Sequence, residues 1–149
     1  MPKLANLVTA DRIIDLKATT KNEALQELFE VMEAAPEITN GAAFEESVLE
    51  REKILSTGIG LELAIPHVKI PTVSNFVMAI GRSKAGIDFD ALDGKPVKIV
   101  ILIASSDKQK DDFLKVQAKV VLLFKEAAFR RKIMKAKDAE EILDLLRTP

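Results

Sequence analysis

The apolar positions of the chain change period three times, and those changes outline its elements. Residues 12–16 (Arg-Ile-Ile-Asp-Leu) are short and β-branched, as expected of a strand. Thr20-Lys-Asn-Glu23 has the spacing of a capping box, and Leu25, Leu28 and Met32 follow on one helical face until Pro36. A second helix is expected after Thr39 or Asn40, with Phe44, Val48 and Leu55 inward and Glu45, Glu46, Glu50 and Glu52 solvated. From Gly58 the pattern turns strand-like, over residues 61–65, 75–80 and 97–104. The last of these is apolar enough to be central. Residues 86–94 read as a loop ending in an Asp-Gly turn. Beyond it, Asp107 is placed to cap a helix with an apolar stripe from Phe113 through Val116, Val120, Leu123 and Phe124 to Ala127. Asp138-Ala-Glu-Glu141 opens a final helix with Ile142, Leu145 and Leu146 inward. Helices at both ends with strands between predict an α/β fold: one domain over residues 1–149, with a single sheet covered by helices on both faces.

Composition narrows the chemistry. An apolar content of 48% with 30% charged residues is that of a soluble globular protein. Twenty-two basic against 23 acidic residues leave no whole-chain field to recruit nucleic acid or an acidic membrane. The chain has no cysteine, which removes disulfides, thiolate nucleophiles and zinc ribbons. The first residues, Met-Pro-Lys-Leu-Ala-Asn, hold no apolar signal core, and no run approaches the ~20 residues of a membrane helix, so a cytoplasmic location is expected. Neither a Gly-x-Ser-x-Gly elbow nor a phosphate-binding glycine fingerprint is present, so no cofactor is indicated, and one histidine without cysteine makes a metal site improbable. The basic run 129–137 (FRRKIMKAK) reads as a solvated helix face, and no aromatic platform for nucleic acid accompanies it.

One segment remains, "REKILSTGIGLELAIPHVK" (51–69). Its single histidine, His67, can act as a nucleophile because neutral imidazole is abundant near pH 7. Pro66 limits the backbone beside it. Ser56 and Thr57 offer hydroxyls, Gly58 and Gly60 offer open backbone N–H groups, and Arg51 offers a bidentate donor. Each element taken alone has an ordinary structural reading.

Together these residues resemble the signature of the type 2 enzyme IIA domains of the bacterial phosphotransferase system, the fructose, mannitol and nitrogen-regulatory class. Arg51, Glu52, Ser56 to Gly60 and Ala64 to His67 match it. "TTKNEALQELFEVM" and "GIDFDALDGKPVKIVILIASSD" are similar to the family's first helix and to its lead into the central strand. The resemblance implies a mixed sheet between helices, with no metal or cofactor. It implies that His67 accepts a phosphoryl group from a phosphocarrier protein, with Arg51, Ser56 and Thr57 as oxyanion donors, Gly58 and Gly60 as phosphate-binding backbone and Pro66 orienting. The group then passes to a IIB partner or, in nitrogen-regulatory members, controls binding to regulatory targets; the free-standing chain leans toward that second type. Nucleic acid and membrane insertion are not implied. The chain departs from the family pattern in three places. Val68 replaces the glycine after the histidine, and Leu61-Glu62 replaces an Asn-Gly pair. A further histidine that faces the phosphorylated one in many members aligns with Phe113 or, one residue over, Asp112. These departures keep open an alternative: a IIA-like regulatory module that contacts a transporter or kinase without efficient transfer.

Overall fold

A computed structural model describes residues 3–147; Met1 and Pro2, part of the N-terminal segment in which no signal core was found, lie outside the described residues, as does the Thr148-Pro149 end. Two 3-10 turns, Leu4–Asn6 and Ala10–Arg12, lead into β1 (Ile13–Asp15), α1 (Lys21–Glu33) and α2 (Gly41–Ile54). Three short strands follow: β2 (Gly58–Gly60), β3 (Leu63–Ala64) and β4 (His67–Lys69). The long strands β5 (Val77–Ile87) and β6 (Val97–Ser105) precede α3 (Lys110–Phe124), α4 (Ala127–Lys135) and α5 (Ala139–Arg147). No helix among the described residues is long and apolar enough to cross a membrane.

The caps explain most boundaries. Thr20 Oγ1 accepts the Glu23 N–H at 3.4 Å and donates to Glu23 Oε1 at 2.9 Å, closing the start of α1. Asn40 Oδ1 accepts the Ala43 N–H at the start of α2. Asp138 Oδ1 accepts from Glu141 N, whose own carboxylate accepts from Lys137 N. Asp107 is not a cap: α3 starts after Gln109, which makes no side-chain capping bond. The apolar stripe expected to continue to Ala127 stops at Phe124; Ala127 opens the separate helix α4 and is exposed.

The sheet runs β1-β5-β6-β3-β2, with β4 also on β6. β1 is parallel to β5, and β5 antiparallel to β6, so β6 is central as its composition suggests. From Ile99 its side chains alternate between two cores. Ile99, Ile101 and Ile103 face α3, α4 and α5, whereas Val100, Leu102 and Ala104 face α1 and α2. The sheet is thus covered on both faces, as expected. The strand anticipated at 75–80 continues to Ile87 and absorbs the first two residues of the expected 86–94 loop.

The strand anticipated at 61–65 differs more. Leu61 and Glu62 form a two-residue turn between β2 and β3, with φ of 58° and 64°. Positive φ at both central positions is the hairpin geometry that selects Asn-Gly, and it costs other L-residues roughly 1–2 kcal/mol each. Glu62 projects outward to Lys98 Nζ at 3.3 Å. Past this turn β3 and β4 lie along β6 in one register: Leu63 opposite Ile99, His67 opposite Ile103. They are one strand parallel to β6, interrupted at Ile65-Pro66, whose first part also pairs with β2.

Two placements correct the reading of the second helix. Leu55 is exposed, while Glu52 is buried. The Glu52 carboxylate pairs with Lys21 Nζ at 2.7 Å and accepts from Thr57 N at 3.2 Å and from the Thr57 hydroxyl. It ties the start of α1 and the end of α2 to the entry of β2. Replacing Glu52 with alanine strands Lys21 in a mostly buried site and is expected to cost about 3 kcal/mol, read as a lower urea midpoint. Conversely, Leu61→Asn with Glu62→Gly should raise stability by about 1–2 kcal/mol by relieving the two positive φ angles. The loss of an exposed ion pair takes back only a few tenths. An unchanged urea midpoint in the double variant would contradict this account of the turn.

Candidate functional site

The break between β3 and β4 creates the site. Pro66 has no N–H, but its carbonyl still accepts from Ile103 N at 3.0 Å, so the register on β6 survives. Ile65 N turns the other way, to Thr57 O at 3.0 Å. The Ile65 carbonyl is left to the side chain two residues on: His67 Nδ1 lies 2.7 Å from it. A carbonyl oxygen only accepts, so Nδ1 carries the proton and neutral His67 presents the lone pair of Nε2. The ring is half-buried. Burial pushes its pKa below the ordinary 6.5; the Ile65 carbonyl opposes this, Arg51 adds to the depression and Glu52 opposes it.

His67 borders a cavity of about 240 Å³ shared with Ser47, Arg51, Val68, Lys69, Ile70 and Phe113. Ser47 and Arg51 are four apart on α2 and therefore share the face turned to β4. The Arg51 guanidinium makes no hydrogen bond or ion pair among the described residues. Lys69, two residues past His67 on the same strand, sends its Nζ over the Phe113 ring, 5.6 Å from the centroid. No carboxylate lines the cavity, so it holds two cations beside a neutral imidazole. Such a space attracts a dianionic group.

Phe113, not Asp112, stands against His67, with ring centroids 5.8 Å apart and a 58° tilt. Asp112 lies outside the cavity lining, along the first turn of α3. Val68 reaches the cavity wall but is buried in the α1–α2 core.

Of the residues singled out in the sequence, the structure brings His67, Arg51 and the Pro66 backbone together. Ser56, Thr57, Gly58 and Gly60 fall outside the lining and have other partners. Ser56 Oγ donates to Phe89 O at 2.9 Å and accepts from Gly58 N at 3.1 Å. The Thr57 hydroxyl is held by Glu52. A Cβ on Gly58 would come within 2.8 Å of the Ala91 Cα, and Gly60 has φ +94°, so close packing and the hairpin account for both. Sequence reasoning missed Ser47 and Lys69, and read the buried Glu52 as solvated. The four-residue spacing to Arg51 and the two-residue spacing to His67 were the available signals for the first two.

Comparison with known proteins identifies the family and the fold. The family described as "Phosphoenolpyruvate-dependent sugar phosphotransferase system, EIIA 2" matches residues 6–148. A nitrogen regulatory protein of Bradyrhizobium diazoefficiens is 34% identical over 149 residues, covering 98% of this chain and 95% of that protein. The fructose-specific EIIABC component of Bacillus subtilis is 31% identical over 145 residues, covering 97% of this chain but only 23% of that longer protein. The crystal structure of the nitrogen regulatory protein IIA-Ntr from Neisseria meningitidis superposes with a TM-score of 0.89 at 27% identity, over 96% of this chain and 98% of that one. With the profile match spanning nearly every residue, the chain belongs to the type 2 EIIA family of the phosphoenolpyruvate-dependent sugar phosphotransferase system.

Proposed function

We propose that His67 takes up a phosphoryl group at Nε2 from the phosphohistidine of a phosphocarrier protein, and hands it to a IIB partner or holds it to control binding to regulatory targets. The observation that carries this reading is the Nδ1–H···O=C bond to Ile65, which leaves Nε2 as the free nucleophile in a cation-flanked cavity. The Nε2 lone pair attacks phosphorus; the donor's P–N bond breaks and its electron pair returns to the donor imidazole. The positive charge that develops on the His67 ring is spread toward Nδ1–H, where the Ile65 carbonyl stabilises it. Arg51 and Lys69 face the transferring oxygens and neutralise them without a metal. Arg51 also lowers the basicity of the ring, which together with burial keeps it unprotonated and ready to react.

The rim suits a protein donor. Ile54 is 81% exposed and Leu55 62% exposed, one turn beyond Arg51, and Leu114, next to Phe113, is 68% exposed. Large apolar side chains left uncovered on either side of a small polar cavity mark a contact surface. Residues Ser56, Thr57, Gly58 and Gly60 support this site from behind, by holding the strand that carries His67, and Pro66 fixes the turn into it.

The second reading, a regulatory module that binds partners without efficient transfer, rests on Phe113 standing beside His67 in place of a second imidazole. Incubation with a phosphorylated phosphocarrier protein separates the two. Transfer requires acid-labile label on His67 that is lost in His67→Ala. Arg51→Ala should slow labelling by about 100-fold and Lys69→Ala by about tenfold, in the range seen when one charge-stabilising donor is removed. No labelling of the wild-type chain leaves the binding module. Because the His67 pKa is lowered, the neutral ring persists as pH falls. The midpoint of the acid-side fall in initial rate should lie below pH 6.5. A midpoint above pH 6.5 would contradict the buried, Arg51-facing ring.

A further inference from the structure

The basic run 129–137 is not absorbed by the His67 site, and its surroundings give it a partner surface of its own. Helix α4 and the β5–β6 end of the sheet enclose a cleft of about 400 Å³. Five cations line it: Lys84, Lys98, Arg130, Arg131 and Lys135. A single carboxylate, Glu62, accompanies them and is paired with Lys98. The other four have no carboxylate partner among the described residues. This concentration stands out in a chain whose net charge is −1.

The usual reason for cations late in a helix is to complement its C-terminal carbonyls. Here that role is taken. Arg82, 5% exposed beneath α4, donates from Nη1 to Ile133 O at 2.8 Å and Ala136 O at 2.7 Å, while its Nε pairs with Asp15 at 2.5 Å. Arg130 is also fixed in direction, because Nη1 donates to Phe124 O at 3.0 Å and Lys125 O at 2.6 Å. The buried arginine caps the helix, and the surface cations are left facing solvent across the cleft. Between them lie Ala127 and Met134, two turns apart on the same helix face.

We propose that this cleft is a second docking surface, away from His67, for an acidic amphipathic helix of a partner protein. Met134 and Ala127 receive its apolar side chains, and Lys84, Arg131 and Lys135 its carboxylates. Charge complementarity selects the sign of the partner. The adaptable thioether of Met134 between the charges favours a helix with an apolar edge over a phosphate backbone, which would leave it unused. No aromatic side chain lines the cleft to stack a base.

The probe is an 18-residue helical peptide, about that length being five turns, with leucines on one face and glutamates on the other. Comparators are the same composition scrambled around the helix, a single-stranded oligonucleotide of equal charge, and phosphatidylglycerol vesicles. The surface predicts that the amphipathic peptide binds at least about tenfold tighter than the scrambled one and that Arg131→Glu with Lys135→Glu abolishes the difference. Amide shifts in the labelled chain should map to residues 84, 98 and 127–135 and leave 67–70 unmoved. His67→Ala should bind the peptide as wild type does, so failure here is distinguishable from failure of the phosphoryl-transfer reading. Equal binding of the scrambled peptide, preference for the oligonucleotide or vesicles, shifts centred on His67, or no binding at all would each overturn the proposal.

Discussion

Everything at the His67 site depends on a strand that is broken without losing register. A parallel strand laid on β6 would ordinarily commit each carbonyl alternately to the ladder or to solvent. Pro66 cannot donate, but its carbonyl keeps the pairing to Ile103. The residue before it faces away from β6: Ile65 N donates to Thr57 O on the β2 side, and Ile65 O accepts from the His67 ring. One interruption thus performs three tasks. It holds β2 against the strand, fixes the tautomer of His67, and turns Nε2 toward α2 and α3. A longer excursion from the sheet would free the histidine but lose its orientation.

The electrostatics follow from what that break brings close. Glu52 is a buried carboxylate next to Arg51 in the chain, yet it makes no ion pair with Arg51; Lys21 and Thr57 engage both its oxygens. Arg51, its immediate neighbour on the helix, turns outward into the cavity. Adjacent residues on α2 therefore divide the work: the acid binds the scaffold together and the base is kept free for an anion. Were Glu52 to pair with Arg51 instead, the cavity would lose its strongest cation and His67 would gain a basic shift.

The parts of the fold controlled by local rules were readable in the sequence. The Thr20 box, the Asn40 and Asp138 caps and the centrality of 97–104 depend on near neighbours and on hydrophobic alternation, and each is where its residues suggest. What failed had a physical cause. Glu52 was read as solvated because of its charge, although it lies four residues past Val48; the partner that lets it be buried, Lys21, is distant in sequence. Gly58 and Gly60 resemble an anion nest, but their glycines answer to Ala91 and to a positive φ. The two-residue hairpin was hidden because Leu61-Glu62 lacks the residues such turns select. At the site, His67, Arg51 and Pro66 were legible as one motif. Lys69 and Ser47 were legible only after strand and helix were known to face each other.

The two charged surfaces sit at opposite ends of the same strand pair, and that distance limits how they can communicate. Lys98 and Ile103 are five residues apart on β6, roughly 16 Å at the usual rise. Across that span a dianion and a unit charge interact by only about 0.5 kcal/mol in water, and at physiological salt the separation is about two Debye lengths. A phosphoryl dianion at His67 would therefore alter the potential at the basic cleft very little. Packing offers no easier route, because the intervening β6 residues are fully buried and held by strands on both sides. A partner seated on the cleft would sense phosphorylation only by being large enough to reach the rim of the His67 cavity as well. On this geometry the cleft supplies attachment, and the phosphorylation state is read, if at all, by a second contact near Ile54 and Leu114.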